Sequence, residues 1–227
     1  MYTNIITIDP SLSCTAINVN DKKTIYTNDI TSKNKNDFKR WFKNIEHLAD
    51  IKLSDSIKKE EHSKNEISKI LLYDSISDCI ISDIKKDIIQ SDNIIILIEG
   101  YSQNSIAGPL IDLVTFSTLL RIKLYKNISK NMLIISPLSL KLISAKLTYK
   151  PVQKGKKIEY RNRQGISGGK FKKNEILLSL LENENLNCEW CNFLKMNKDD
   201  LINKKNVPKP IDDINDAKIL YEYGKTL

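Results

Sequence analysis

The feature that most constrains this chain is the run Ile94 to Ile98, five consecutive apolar residues within NIIILIEG that stop abruptly at Glu99 and Gly100. A strand with one wet face alternates apolar and polar residues, so a short unbroken apolar run reads as a central strand covered on both faces. The covering layers are helices, and the neighbouring text supplies one. Gly108 to Tyr125 has helical spacing, with Leu110, Val114, Leu120 and Leu124 among its apolar positions, and Met132 to Ser136 (MLIIS) is a further strand opening onto Pro137. Strand, helix and strand in that order predict parallel pairing. A chain of 227 residues then fits one α/β domain with insertions better than two domains.

Upstream, Ile5 to Ile8, Thr15 to Val19 and Thr24 to Thr27 are short β runs separated by turn residues, the pattern of a β meander. From Asp37 to Asp92 the spacing turns helical: Phe38, Trp41, Phe42, Ile45 and Leu48 form one stripe, and Ile67, Ile70, Leu71 and Ile81 another. Two helices joined by the charged stretch Ser54 to Asn65 are expected there, with the aromatic stripe serving as core. Downstream, a helix is predicted from about Lys170 to Glu182, a polar irregular segment from Asn183 to Pro210, and a final helix from Asp212 to about Gly224.

Lysine and arginine number 36 against 28 acidic residues, giving a net charge of +8 that favours a polyanionic partner. The excess is concentrated in residues 147–173. There Lys150, Lys154, Lys156, Lys157, Arg161, Arg163, Lys170, Lys172 and Lys173 are interleaved with Tyr149, Tyr160 and Phe171 against the single acid Glu159. This is the expected bed for a phosphate backbone; about five phosphate contacts would give a log–log salt slope near −4 to −5. Gly168 and Gly169 before a lysine-rich helix start are a candidate phosphate-binding N-terminus, although they do not make a GxxxxGK[ST] loop. No run approaches a membrane span, and the start MYTNIITIDP lacks the features of a secretory signal, so a soluble, cytoplasmic protein that is not secreted is expected. The four cysteines are too scattered for a disulfide framework. Cys188 and Cys191 form one CxxC with no second ligand pair, which reads as incidental.

Acidic residues stand at the places where chemistry is usually built. Asp9 closes the first strand and Glu99 closes the central one; if the two strands are parallel neighbours, both carboxylates meet at the strand ends where α/β sheets carry their sites. A charge abutting an apolar strand is costly unless it is paired, hydrogen-bonded or metal-bound. In PIDDINDAKIL, Asp213 and Asp216 are three apart and share a helix face with Ala217 and Leu220, so the inward face also carries acids. Asp212 and Asp213 are accounted for by capping and the helix dipole, whereas Asp216 lies too deep for that. Carboxylates from distant parts of a chain, with no histidine among them, suit hard cations such as Mg²⁺. Two such ions about 4 Å apart serve phosphodiester hydrolysis.

The order of these blocks resembles the RuvC-type Holliday-junction resolvases of the ribonuclease H-like superfamily, particularly the divergent versions of phages and large DNA viruses. IITIDPSLSCTAINV is similar to their opening strand with its first aspartate, and IIILIEGYSQNSIAGPLIDLVTFSTLLR to their glutamate strand and following helix. IISPLSLKL resembles the next strand and its exit, GGKFKKNEIL the glycine and lysine motif with Lys173 at the matching lysine, and DDINDAKIL the closing helix. The resemblance implies a single nuclease domain over 1–227, an α/β ribonuclease H-like fold with a mixed five-stranded sheet flanked by helices. Relative to the family the chain carries a helical insertion at about 35–92 and a basic insertion at about 147–167 that interrupts the lysine motif, leaving Lys170 and Lys172 as alternatives to Lys173. It further implies a homodimeric endonuclease that nicks four-way or other branched DNA, with two Mg²⁺ or Mn²⁺ ions held by Asp9, Glu99, Asp213 and Asp216, and Tyr101 placed to meet the junction centre. Two other readings stay open: a non-catalytic ribonuclease H-like scaffold for nucleic acid, and an actin-like ATPase, whose second Asp-x-Gly phosphate loop this sequence lacks.

Overall fold

The computed structural model describes residues 2–27, 36–54, 62–89, 93–101, 107–204 and 206–227; most of the charged stretch expected between the first two helices lies outside them. Strands β1 (Asn4–Asp9), β2 (Cys14–Val19) and β3 (Lys22–Thr27) form the expected antiparallel meander. Asn20 and Asp21 make the second turn at φ 52° and 73°, left-handed backbone that a tight hairpin of this hand requires and that Asn and Asp tolerate better than most residues. Helix α1 (Asn36–Ile45), strand β4 (Ala49–Leu53) and helix α2 (His62–Asp87) follow, then β5 (Ile94–Glu99), α3 (Ala107–Asn127) and β6 (Met132–Ile135). The remaining elements are α4 (Pro137–Thr148), the hairpin β7 (Pro151–Lys154) and β8 (Lys157–Tyr160), α5 (Lys173–Glu182), α6 (Glu189–Met196), α7 (Lys198–Ile202) and α8 (Ile211–Gly224).

The main sheet is mixed and six-stranded in the order β4-β3-β2-β1-β5-β6. Strand β5 pairs in parallel with β6, as the strand, helix, strand pattern predicts, and also in parallel with β1, which meets the condition set for Asp9 and Glu99 to share a rim. The strand beyond the expected five is β4, which pairs in parallel with β3 inside the region whose spacing reads as helical. Its sequence, ADIKL, alternates apolar and polar residues but is only five residues long. Backbone pairing with β3 holds this edge strand, and five alternating residues are too short a signal beside the aromatic stripe of α1.

Both faces of the sheet are covered. Ile6, Ile8, Ile94, Ile96 and Ile98 pack against Tyr73, Ile80 and Ile84 of α2 and Phe116, Leu120 and Leu124 of α3. Ile5, Ile95 and Leu97 belong to a second core with Trp41 and Phe42 of α1, Trp190 of α6, and Ile214, Ala217 and Leu220 of α8. The aromatic stripe of α1 is therefore core. The 183–210 segment, expected to be irregular, contains α6 and α7. Helix α6 buries Trp190, Cys191, Phe193 and Leu194, an inward face too short to stand out as a period.

Gly168 and Gly169 do not form the phosphate-binding helix start expected of them. They lie in a short 3₁₀ turn, Gly168–Lys170, where a Cβ on Gly168 would sit 2.5 Å from Cβ of Ala145 in α4. The absent side chain lets the turn close on α4. Helix α5 begins later, at Lys173, and the Glu175 side chain already accepts from the Lys172 amide (2.7 Å).

Candidate active site

Strand parity and register bring the first two acids together. Side chains alternate faces along a strand, so Asp9 points to the same side as Ile5, and Glu99 to the same side as Ile95 and Leu97. That is the side covered by α8. The register pairs Ile5 with Ile95 and Ile8 with Ile98, so the next residues, Asp9 and Glu99, lie side by side at the carboxyl ends of parallel strands. Helix α8 lies close over this face: the Thr7 hydroxyl donates to the Ala217 carbonyl (2.7 Å), and a Cβ on Gly224 would lie 2.6 Å from Cγ2 of Ile5. The inward face of α8 delivers Asp213 and Asp216 to the same rim.

Among the described residues, carboxylate oxygens of Asp9, Glu99 and Asp216 lie within 4.8 Å of one another. These side chains are nearly sequestered, with relative exposures of 7%, 9% and 0%. Burial is the main force raising the pKa values of all three; Glu99, Asp213 and Asp216 raise Asp9 further, and an Asp9–Glu99 hydrogen bond joins the first two. Asp213 is close enough to act on Asp9 and Glu99 but is not one of the trio. One of its oxygens accepts from Lys209 (3.0 Å). The other, Oδ2, and Oδ1 of Asp216 are buried with no hydrogen-bond partner. Orphaned carboxylate oxygens in an all-oxygen donor set fit a hard divalent cation.

Two lysines border the acids. Lys173 pairs with Asp216 and with Asp212 (3.2 Å). Desolvation works against its charge, but Asp216, Asp212, Asp9 and Glu99 outweigh it and hold the ammonium. Of the three lysines the motif left open, Lys173 is the one that reaches these acids. Asp212 is pushed up to about 6, chiefly by burial. Lys209 reaches Asp213 and the hydroxyls of Ser11 (3.0 Å) and Ser13 (3.4 Å), tying the loop after β1 to the start of α8. Sequence reasoning missed Lys209 and assigned Asp212 to capping and the helix dipole. The spacing of Lys209 four residues before Asp213 was the available signal, but it precedes the helix start and is visible only once the loop is folded.

The other candidate residues divide by environment. Lys150, Lys154, Lys156, Lys157, Lys170 and Lys172 are exposed, three of them on the β7–β8 hairpin and its turn. Arg161 is engaged by Glu159 (2.7 Å), and Arg163 approaches Glu182 (3.6 Å), so both arginines have intramolecular acids to exchange for phosphate. Tyr101 is 40% exposed just beyond Glu99, with the Arg121 guanidinium 5.6 Å from its ring centroid. Arg121 also donates to the Glu99 carbonyl (3.3 Å).

No family model matches the chain, and no curated protein matches it. Among solved structures the chain is similar to RuvC. One match is Thermus thermophilus RuvC in complex with a Holliday junction substrate, at 8% identity and a TM-score of 0.44, covering 98% of this chain and 95% of that one. Another is a Thermus thermophilus RuvC structure at 10% identity and the same TM-score, covering 99% and 96%. No helix among the described residues is long and apolar enough to cross a membrane.

Proposed function

We propose that the protein is a metal-dependent endonuclease that hydrolyses phosphodiester bonds in four-way or other branched DNA, acting as a homodimer. The observation that carries this reading is the buried trio Asp9, Glu99 and Asp216, with orphaned carboxylate oxygens on Asp216 and the neighbouring Asp213. Three or four acids forced together at one rim repel unless protonated or neutralised, and divalent cations neutralise them. Asp9, Glu99 and Asp216 would hold Mg²⁺ or Mn²⁺, with Asp213 as a fourth ligand once Lys209 yields. Bound there, two such ions supply water activation and stabilisation of the leaving oxygen.

The chain's own groups supply the rest. Lys173 stands at the open side of the trio, 44% exposed, and can turn from Asp216 towards a scissile phosphate. Lys209 holds Ser11 and Ser13 beside Asp213. Lys154, Lys156 and Lys157 give a solvated basic hairpin for the backbone of the substrate. The choice of junction and of a dimer rests on the order of the sequence motifs and on Tyr101 being exposed beside Glu99.

The test is cleavage of labelled four-way junction, flap, linear duplex and RNA–DNA hybrid, each with Mg²⁺, Mn²⁺ or EDTA. Paired symmetric nicks on the junction, lost in EDTA, are expected. Metal-dependent cutting confined to another substrate overturns the junction, and tight binding without cutting under any condition overturns the enzyme in favour of a scaffold.

A further inference from the structure

We propose that Cys188 and Cys191 form a thiol–disulfide exchange site that takes low-molecular-weight disulfides of the glutathione type. The inference is independent of the nuclease reading. Cys188 is the N-cap of α6, in extended backbone (φ −138°, ψ 164°), and Cys191 is three residues on, inside the first turn. Their sulfurs lie 3.3 Å apart. Cys188 is partly exposed and Cys191 is 1% exposed, so an incoming disulfide meets the first sulfur while the second waits protected behind it.

The surroundings favour attack by Cys188. The contact with the Cys191 sulfur is the dominant reason the Cys188 thiol is held down to a pKa of about 5, and the Cys191 amide and the Lys218 ammonium add to this. Lys218 is itself buried between Asp21 (2.8 Å) and Glu222 (2.9 Å), and these two acids partly offset it. The same contact pushes Cys191 up, so that thiol stays protonated until a mixed disulfide forms. A zinc site does not compete: among the described residues, the group of three or more ligand-type side chains with metal spacing is the acidic trio, far from this pair in sequence and chemistry. Cys14 and Cys79 lie in β2 and α2 and are free.

The reaction balances without a further reagent. The Cys188 thiolate attacks one sulfur of R–S–S–R, forming Cys188–S–S–R and releasing RS⁻. RS⁻ takes the Cys191 proton, and the Cys191 sulfur then attacks Cys188, closing the protein disulfide and expelling the second thiolate, which takes up the proton that Cys188 had given to solvent. Two protein thiols are oxidised and one small disulfide is reduced to two thiols.

The experiment treats the reduced full chain with oxidised glutathione in EDTA and follows it by intact-mass and peptide mass spectrometry, with exposed Cys79 as the internal comparison. Wild type is expected to lose two hydrogens at the 188–191 peptide and to hold no glutathione there. Cys191→Ala is expected to trap glutathione on Cys188, and Cys188→Ser to leave Cys191 unmodified. At about pH 5.5 Cys188 of Cys191→Ser should react on the order of tenfold faster than Cys79. Wild type that keeps both thiols while Cys79 is already glutathionylated, or that retains glutathione on Cys188, overturns the proposal. Circular dichroism of the variants separates this result from misfolding.

Discussion

Asp9 illustrates how strongly one residue can couple function to stability. Its burial, and then the charges of Glu99, Asp213 and Asp216 around it, push its carboxyl well above the ordinary carboxylate range. Asp9→Asn is expected to abolish cleavage while leaving junction affinity within about threefold of wild type, measured by gel shift in Ca²⁺ or EDTA. An amide next to Glu99 also removes one of the clustered charges, so the variant should be more stable than wild type in EDTA near pH 7 by on the order of 1 kcal/mol. A variant that cuts at the wild-type rate would refute the site assignment.

The same groups set a pH dependence. Asp9, Glu99, Asp212 and Asp216 all have folded-state values above the ordinary carboxylate range. Between the unfolded and folded values the native state binds more protons, so their contribution is complete below about pH 4 and is lost as pH rises through the raised values, about 6 for Asp212. In EDTA the melting temperature should therefore fall as pH increases from about 4 past 6. A profile that rises over this interval would contradict the clustered-acid description.

At the scale of elements, two parts of the basic segment 147–173 sit in different environments. The β7–β8 hairpin is exposed, with Gly155 in its turn at φ 60°, whereas Gly168 is buried against α4. Replacing Lys154, Lys156 and Lys157 together by alanine should reduce the magnitude of the log–log salt slope of DNA binding by roughly two to three, with little change in urea stability. An unchanged slope would remove the hairpin from the interface. Gly168→Ala has the opposite profile. Its new Cβ meets Ala145 on a packed helix, so a loss of about 1–3 kcal/mol in urea unfolding is expected.

For the whole molecule, the site is a joint between the two ends of the chain. Strand β1 and helix α8 each supply acids, and Thr7, Ala217, Lys209 and Ser11 link them across roughly the full length of the sequence. Cation binding should therefore stabilise the entire fold. Mg²⁺ or Mn²⁺ at millimolar levels should raise the melting temperature at about pH 7.5 by a few degrees in wild type and by much less in Asp9→Asn. Equal shifts in both would place the bound ion elsewhere.

The sequence by itself determined what is local or strictly periodic. The apolar run ending in Glu99, the meander ending its first strand at Asp9, and the three-residue spacing of Asp213 and Asp216 follow from periods of 2 and 3.6. The strands place Asp9 and Glu99 at their carboxyl ends, and the helix spacing places Asp213 and Asp216 on its inward face. Tertiary structure decided which acids meet. Strand register placed Asp9 beside Glu99, and close packing of α8 brought in Asp216 but left Asp213 with Lys209. It also chose Lys173 among three lysines, recruited Asp212, and set β4 on an edge of the sheet beside β3. These outcomes depend on contacts between segments distant in the chain. Their energies come from burial and charge proximity, which no local pattern of residue types encodes.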